Sequence, residues 1–387
     1  MAKLTVADIN QYSGTTINPP DNPDEVYELY SVPSFDSQYP EIIKGSEIGS
    51  SKITVEDGDV LVCKINPRIN RVWVVKHHTD HPLLASSEWI VVRNSKMDSN
   101  YLKWYFSSPT FRNLLVSQVA GIGGSLTRAQ PKQVAKYPVP IVDICEQRRI
   151  AAVLNKVSGL IAKRREQLDK LDELVMARFV EMFGDPVSNP KGWNIVELSH
   201  CLEGIDNGKS LVCDTRPRQG NWPAILKLSA ATYGYYQPKE NKAMLNENEF
   251  VNSAAVQTGD LLFTRKNTPE LVGMCAYVYK TPDRLMMPDL IFRLNTNKTC
   301  NKIFLWKLIN HELFRENIKA ISSGSAKSMS NISKERLLEL KIILPPIGLQ
   351  RKFADFVRQT DKSKLTIQQS LDKLEVLKKA LMQQYFG

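Results

Sequence analysis

The sequence lacks most of what a catalyst or a membrane protein would need. No apolar run approaches the roughly 20 residues of a membrane span, and the amino-terminal MAKLTVADINQYSG has no signal-peptide core. A cytoplasmic protein is the expectation. The six cysteines (63, 145, 201, 213, 275 and 300) include no Cys-x-x-Cys pair, so they read as reduced thiols rather than disulfides or a zinc site. Of only five histidines, His77, His78 and His81 fall together, but a His-His-Thr-Asp-His-Pro stretch reads as a solvated turn. Glycine-rich phosphate loops, Walker sequences and Gly-x-Ser-x-Gly elbows are missing, and Gly121-Ile-Gly-Gly124 follows a helix rather than a strand. These absences predict a chain with no catalytic residues, no metal and no cofactor of its own.

What is plentiful is positive charge. Lysine and arginine number 51 against 41 acidic residues, a net charge of +10 with pI near 9.1. A basic protein of this kind usually meets a polyanion, most often DNA or RNA. The 42% hydrophobic and 24% charged content is that of a globular protein, and 387 residues suffice for two full cores.

The chain repeats itself. "LDKLDELVMARFVEMFGD" begins at Leu168 and "LDKLEVLKKALMQQYFG" at Leu371, an offset of 203 (371 minus 168) that holds without a gap over 38 positions with 11 identities. Gln147-Arg148 falls on Gln350-Arg351, Tyr101 on Phe304, and Phe183-Gly184 on Phe386-Gly387. Farther upstream the offset slips to 201, where Gly58-Asp59 meets Gly259-Asp260 and Glu88 meets Asp289. A duplicated unit near 190 residues, far longer than a solenoid repeat, predicts two globular domains.

Each copy ends in a long helix. Ile150, Leu154, Val157, Ile161, Leu168, Leu171, Val175 and Met182 step by three and four, interrupted by Arg164 and Arg178. The second copy runs through Phe353, Val357, Ile367, Leu371, Leu374, Leu381 and Tyr385. That seam is coiled-coil spacing. Asp143 with Glu146 caps the first helix, and Gly184 before Pro186 stops it. The helices, each about 57 Å long at 1.5 Å per residue, either pair antiparallel and set a distance between the domains, or pack on their own domains.

The domains read as mixed α/β. Asp59-Val-Leu-Val-Cys63, Arg71-Val-Trp-Val-Val75 and Trp89-Ile-Val-Val-Arg93 alternate like strands, as do Asp260-Leu-Leu-Phe-Thr264, Met274-Cys-Ala-Tyr-Val278 and Leu290-Ile-Phe-Arg-Leu294. An aromatic helix follows each set ("YLKWYFSSPTFRNLL", "KIFLWKLINHELFRENI"), then a small-residue loop ("GIGGSLTRAQ", "SSGSAKSMSN"), then a strand running into proline. The expected division is a first domain over residues 1–145, its helix over 146–184, a second domain over 185–345 and its helix over 346–387.

This order, with "YPVPIVDICEQRRIAAVL" opening the first long helix and its twin from Pro345 to Val357, resembles the specificity subunit of Type I restriction–modification systems over essentially the whole chain. The second copy departs by placing Leu349 where the first has Glu146. The resemblance implies two similar target recognition domains, each reading one half of a split, asymmetric double-stranded DNA sequence, with the helices fixing the spacer. It also implies docking of two methyltransferase subunits and a motor-nuclease, with S-adenosylmethionine, ATP and magnesium confined to those partners. A stand-alone two-domain DNA-binding regulator or scaffold built on the same duplication is the alternative.

DNA contact needs loop donors, acceptors and cations. The loops after the Gly-Asp strands supply Lys64, Asn66, Arg68, Asn70 and Arg71 in the first copy and Arg265, Lys266 and Asn267 in the second. The small-residue loops supply Ser125, Thr127 and Arg128, and Lys327, Ser328, Ser330 and Asn331; Asn207, Lys209 and Ser210 precede the second set. "INPPD" at residues 17–21 has Asp21 where an amino-methyltransferase motif needs an aromatic ring to stack on a flipped base, and is read as a polar turn.

Overall fold

In a computed structural model of the chain, residues 3–117, 119–120, 127–323 and 329–387 are described. The chain divides into two compact units: residues 1–166 with 368–387, and residues 167–367. No helix among the described residues is long and apolar enough to cross a membrane.

In the first unit, Val60–Cys63 pairs antiparallel with Val72–Val74 on one side and Trp89–Val92 on the other. Successive strand residues point to opposite faces, and both faces of this sheet are covered. Val60 and Val62 face a core with Tyr101, Phe106 and Phe111 of two helices, Ser99–Phe106 and Pro109–Ser117. Leu61 and Cys63 face Tyr30, Trp73 and Trp89 instead. A second sheet of five strands closes that side, with Val26–Tyr30 parallel to Leu83–Ser86 and antiparallel to Glu41–Lys44.

The second unit repeats the plan. Leu261–Thr264 lies between Cys275–Tyr277 and Ile291–Thr296. Leu261 and Phe263 face the aromatic helix Lys302–Ile309, whereas Leu262 faces a smaller core of Ala224, Leu226 and Leu285. That second core belongs to a sheet in which Ala224–Leu226 is parallel to Leu285–Met286 and antiparallel to Asn241–Ala243. Each unit also ties an early strand to the one before its long helix: Lys3–Thr5 to Pro138–Pro140, and Asn194–Glu197 to Lys341–Leu344.

Sequence spacing predicted one aromatic helix per domain; each is broken. In the first unit Ser108 ends one turn and starts another, its Oγ accepting from Phe111 N at 3.1 Å, and Pro109 has no N–H to continue the first helix. In the second, Asn310 ends the helix and His311 caps a short turn over Glu312–Phe314.

The long helices run over Ile144–Phe183 and Ile347–Phe386, 40 residues each. In the first unit the start of one lies antiparallel to the end of the other: Arg165 meets Glu375 at 2.7 Å, Ser158 meets Lys378 at 3.4 Å, and Arg149 lies over the Tyr385 ring. In the second, Asp172 pairs with Lys364, Arg178 stacks over Phe356, and Phe179 meets Phe353. The seam does not serve one purpose along its length. Ile150 and Leu154 enter the first unit's core, and Phe353 and Val357 the second's. Val157, Ile161 and Leu371 are buried, while Leu168, Leu171, Ile367 and Leu374 are only half-buried.

The repeated residues sit in repeated contacts. Phe386 lies 5.5 Å from Tyr101, and Phe183 lies 5.0 Å from Phe304, the residue that matches Tyr101. Each Phe-Gly end therefore finishes an aromatic core. Gly184 stops its helix at φ 78°, where a Cβ would meet Pro190 Cγ at 2.9 Å. The paired glutamines do the same work twice. Gln147 accepts from Asp98 N at 2.9 Å and donates to Val142 O at 2.8 Å; Gln350 accepts from Asn301 N at 2.8 Å and donates to Pro345 O at 2.7 Å. Asp98 and Asn301 are the N-caps of the aromatic helices, so one buried amide locks helix start to helix start. Asp143 caps the first long helix by accepting from Glu146 N at 2.9 Å, but the Glu146 carboxylate turns to Arg149 at 2.6 Å instead of returning to the cap.

Candidate nucleic-acid interface

The Gly-Asp pair that marks each copy is a structural clamp. Gly58 and Gly259 hold φ of 87° and 90°, where glycine costs nothing. The aspartate that follows turns inward. Asp59 accepts from Glu56 N at 2.8 Å and from Arg93 at 2.7 and 2.8 Å. Asp260 accepts from Gln257 N at 2.8 Å and pairs with Arg293 at 3.0 Å. The carboxylate holds the Arg93 guanidinium well above its ordinary value, and burial raises the Asp260 carboxyl against the pull of Gln257 and Arg293. The clamp sets the strand from which the candidate loop departs.

Those loops meet the segments after the aromatic helices, in the same way in both units. In the first, Ala129 N donates to Lys64 O and Asn66 N to Thr127 O, both at 2.9 Å, and Ile65 bridges Arg128. Lys64 N also donates to Glu88 O at 2.9 Å, and Arg128 pairs with the Glu88 carboxylate at 3.0 Å. In the second, Lys266 and Asn267 pair with Asn331 and Ser330, and Arg265 N donates to Leu290 O at 3.0 Å. The Arg265 guanidinium reaches Asn331 Oδ1 at 3.2 Å and covers the Phe292 ring at 4.9 Å. Lys209 joins this edge, its O accepting from Asp289 N at 3.1 Å. The approach demands Gly208, whose Cβ would lie 2.0 Å from Pro288 O.

The side chains divide into groups. Arg68, Arg128, Asn207, Lys209 and Ser210 are exposed, and Lys64, Asn66, Asn70, Arg71, Thr127, Arg265, Lys266 and Asn331 are half-buried. Asn267 and Ser330 face inward. Asn267 is 6% exposed and donates to Thr232 Oγ1 at 3.1 Å, and Ser330 is 8% exposed. A two-residue strand leaves one face toward the core, and sequence does not say which. Ser125, Lys327 and Ser328 lie outside the described residues. Among the described residues no ion pair neutralises Arg68, Lys209 or Lys266, so the clusters keep their positive charge. Glu88, which anchors Arg128, was not singled out from sequence as a site residue, although its match with Asp289 marked the turn.

Elsewhere the readings are simpler. His78 and Thr79 direct their backbone N–H groups to the buried Glu28 carboxylate, which makes the histidine stretch a structured turn. Asn18 donates to Asp21 at 2.7 Å within a short 3-10 turn. Among the described residues no group of three or more His, Cys, Asp or Glu is placed to hold a metal.

A twice-built α/β frame, with basic loop clusters at matching places and a long helix closing each copy, defines a class: a duplicated two-unit protein of mixed α/β fold. Residues 190–378 match the model of the Type I restriction modification DNA specificity domain, so nearly half of the chain is similar to this family. The chain is 30% identical over 190 residues to the EcoEI specificity subunit of Escherichia coli, covering 47% of this chain and 32% of that relative, so the match spans about a third of the relative's length. The fold is shared with a chain from a structure described as the basis of complex assembly and conformational transition of the type I R-M system. There the TM-score is 0.56 and the identity 17%, covering 100% of this chain and 97% of that one. The Type I restriction-modification S subunit from M. genitalium gives 0.55 and 13%, covering 98% and 94%.

Proposed function

We propose that the chain is the specificity subunit of a Type I restriction–modification complex, reading a bipartite, asymmetric double-stranded DNA target with one half-site per domain. The observation that carries this reading is one frame built twice with different chemistry at its loops: Arg68 and Arg128 in one unit, Lys209, Lys266 and Arg265 in the other. Shared anchors favour a common docking geometry, and unlike loops favour unlike half-sites. The paired 40-residue helices set the spacer between the halves, about 60 Å of helix at 1.5 Å per residue. Phosphate contacts through unpaired lysines and arginines position each domain, and loop side chains read base edges.

Two methyltransferase subunits and restriction motor-nuclease subunits dock on this chain in the same reading. S-adenosylmethionine, ATP and magnesium belong to them, and the methyl transfer is theirs. Purification from the native source tests this. Recovery with a methyltransferase, and site-specific methylation only when both are present, is the expected result. A chain recovered alone, binding DNA without supporting methylation, would make it a stand-alone regulator.

A further inference from the structure

The turn after the first Gly-Asp strand is built to hold an apolar side chain out into solvent. Asn66 and Asn70 have φ of 48° and 51°, a left-handed conformation that asparagine tolerates better than most residues. Between them Ile69 N donates to Asn66 O at 2.9 Å and Asn70 N to Pro67 O at 3.1 Å. Both feet are tied down, Asn66 N to Thr127 O at 2.9 Å and Asn70 Nδ2 to Phe106 O at 3.1 Å. The two asparagines are therefore spent on shaping the turn, and what it presents outward is Arg68 and Ile69, the latter 57% exposed.

Two further observations set this turn apart. Among the described residues of the first unit, every buried side-chain polar atom without a hydrogen-bond partner lies at its base: Asn70 Oδ1, Arg71 Nε and Glu88 Oε2. Folded proteins pair nearly all such atoms, and local departures from that rule gather at functional sites. The frame itself does not require an apolar tip. In the second unit the corresponding segment folds back, with Leu271 N and Val272 N donating to Thr268 O at 3.0 and 2.9 Å. Val272 is there fully buried, and Glu270 is left exposed.

We propose that Ile69 is a specificity-determining residue of the first half-site, packing on the C5-methyl group of a thymine in the major groove. The inference rests on the chain being a DNA specificity subunit. Isoleucine has no donor or acceptor, and the one apolar group on a base edge is that methyl. Because the turn is already rigid, little conformational freedom is lost when the contact forms. Arg68, one residue away, supplies the charge that holds the turn against the strand.

The test uses the full chain with its methyltransferase, mapping the methylated motif for wild type, Ile69→Ala and Ile69→Val. Ile69→Ala relaxes one thymine position in one half-site by about tenfold, the scale of a lost methyl contact in a pocket, and leaves the other half unchanged. Ile69→Val keeps most of the preference. Replacing that thymine by uracil weakens wild-type binding by a similar factor, and Ile69→Ala no longer distinguishes the two bases. An unchanged motif in Ile69→Ala, or equal weakening for every sequence, as an unstacking wedge would give, overturns the role of Ile69. A wild-type complex with no sequence preference would instead overturn the specificity-subunit reading.

Discussion

Arg93 grips Asp59 at two points, 2.7 and 2.8 Å, in the first unit and also meets the exposed Glu56 at 2.7 Å, whereas Arg293 in the second reaches Asp260 at 3.0 Å and Asp206 at 3.4 Å. The glutamine locks, by contrast, are nearly superimposable in their contacts: 2.9 and 2.8 Å around Gln147, 2.8 and 2.7 Å around Gln350. Beyond those anchors the units part. One carries a turn tipped by Arg68 and Ile69; the other folds the same segment back and exposes Glu270. The contacts that position a loop repeat, and the side chains at its tip do not. If each unit reads its own half-site, as proposed, this division keeps the geometry fixed while the base contacts change.

The sharpest way to break the comparison is at the Phe-Gly ends. Phe183 packs against Phe179, Phe304 and Phe353, and Phe386 against Tyr101 and Tyr105. Truncating a buried phenylalanine costs about 3–5 kcal/mol. Phe183→Ala is expected at the upper end, confined to the second unit, and Phe386→Ala nearer the lower end, confined to the first. Hydrogen exchange resolved by residue checks this, and a loss spread evenly over both units would contradict it.

The clamps come next. Asp59→Asn removes the buried carboxylate that Arg93 grips at two points, leaves Arg93 only the exposed Glu56, and is expected to destabilise the first unit by about 3 kcal/mol. Asp260→Asn is expected to cost roughly half as much, because Arg293 meets that carboxylate at one point and keeps both Asp206 and the Ala255 carbonyl. Denaturant titration followed by unit-specific probes measures both, and equal costs would contradict the difference in grip.

Not all of this was legible in the sequence. The three strands of each central sheet, the long helices and their stops follow from alternation, seam spacing and Gly184, since these depend only on local pattern. Val26–Tyr30 and Ala224–Leu226 were not legible, because each pairs in parallel with a short strand far along the chain, and Glu41–Lys44 and Asn241–Ala243 only add to them as antiparallel edges. The breaks at Pro109 and His311 follow from the residues themselves, a proline without an N–H and a histidine that caps the next turn. In the candidate interface the sequence marks the loops but not the directions of their side chains. Asn267 turns inward to Thr232, and Asn66 and Asn70 shape a turn, because asparagine serves left-handed backbone as readily as it serves DNA.

Smaller effects sharpen the contrast further. Leu171 and Leu374 are half-buried in the helix pair, so Leu171→Asp with Leu374→Asp is expected to cost about 1–3 kcal/mol in all. Both units should stay folded by circular dichroism while methylation at the bipartite site falls. Unchanged methylation would remove the helices from spacer control. Lys307, over the Trp306 ring at 3.7 Å, has its ammonium pushed down to about 8 by burial, with Asp361 opposing. The unfolded chain then holds that proton more tightly than the folded one. Stability of the second unit should rise between pH 8 and the ordinary lysine value near 10.5, by on the order of 1–3 kcal/mol against the background trend. Lys307→Met should abolish that increment in thermal unfolding across this pH range; an identical pH profile in the variant would reject it.

The central claim is that two frames with unlike loops read two unlike half-sites at a fixed separation. Single-molecule sequencing of DNA from cells carrying this chain and its methyltransferase tests it most directly. One split motif is expected, its halves different in sequence and separated by a constant run of unspecified bases. A continuous motif, a palindrome with identical halves, or a spacer of variable length would contradict it.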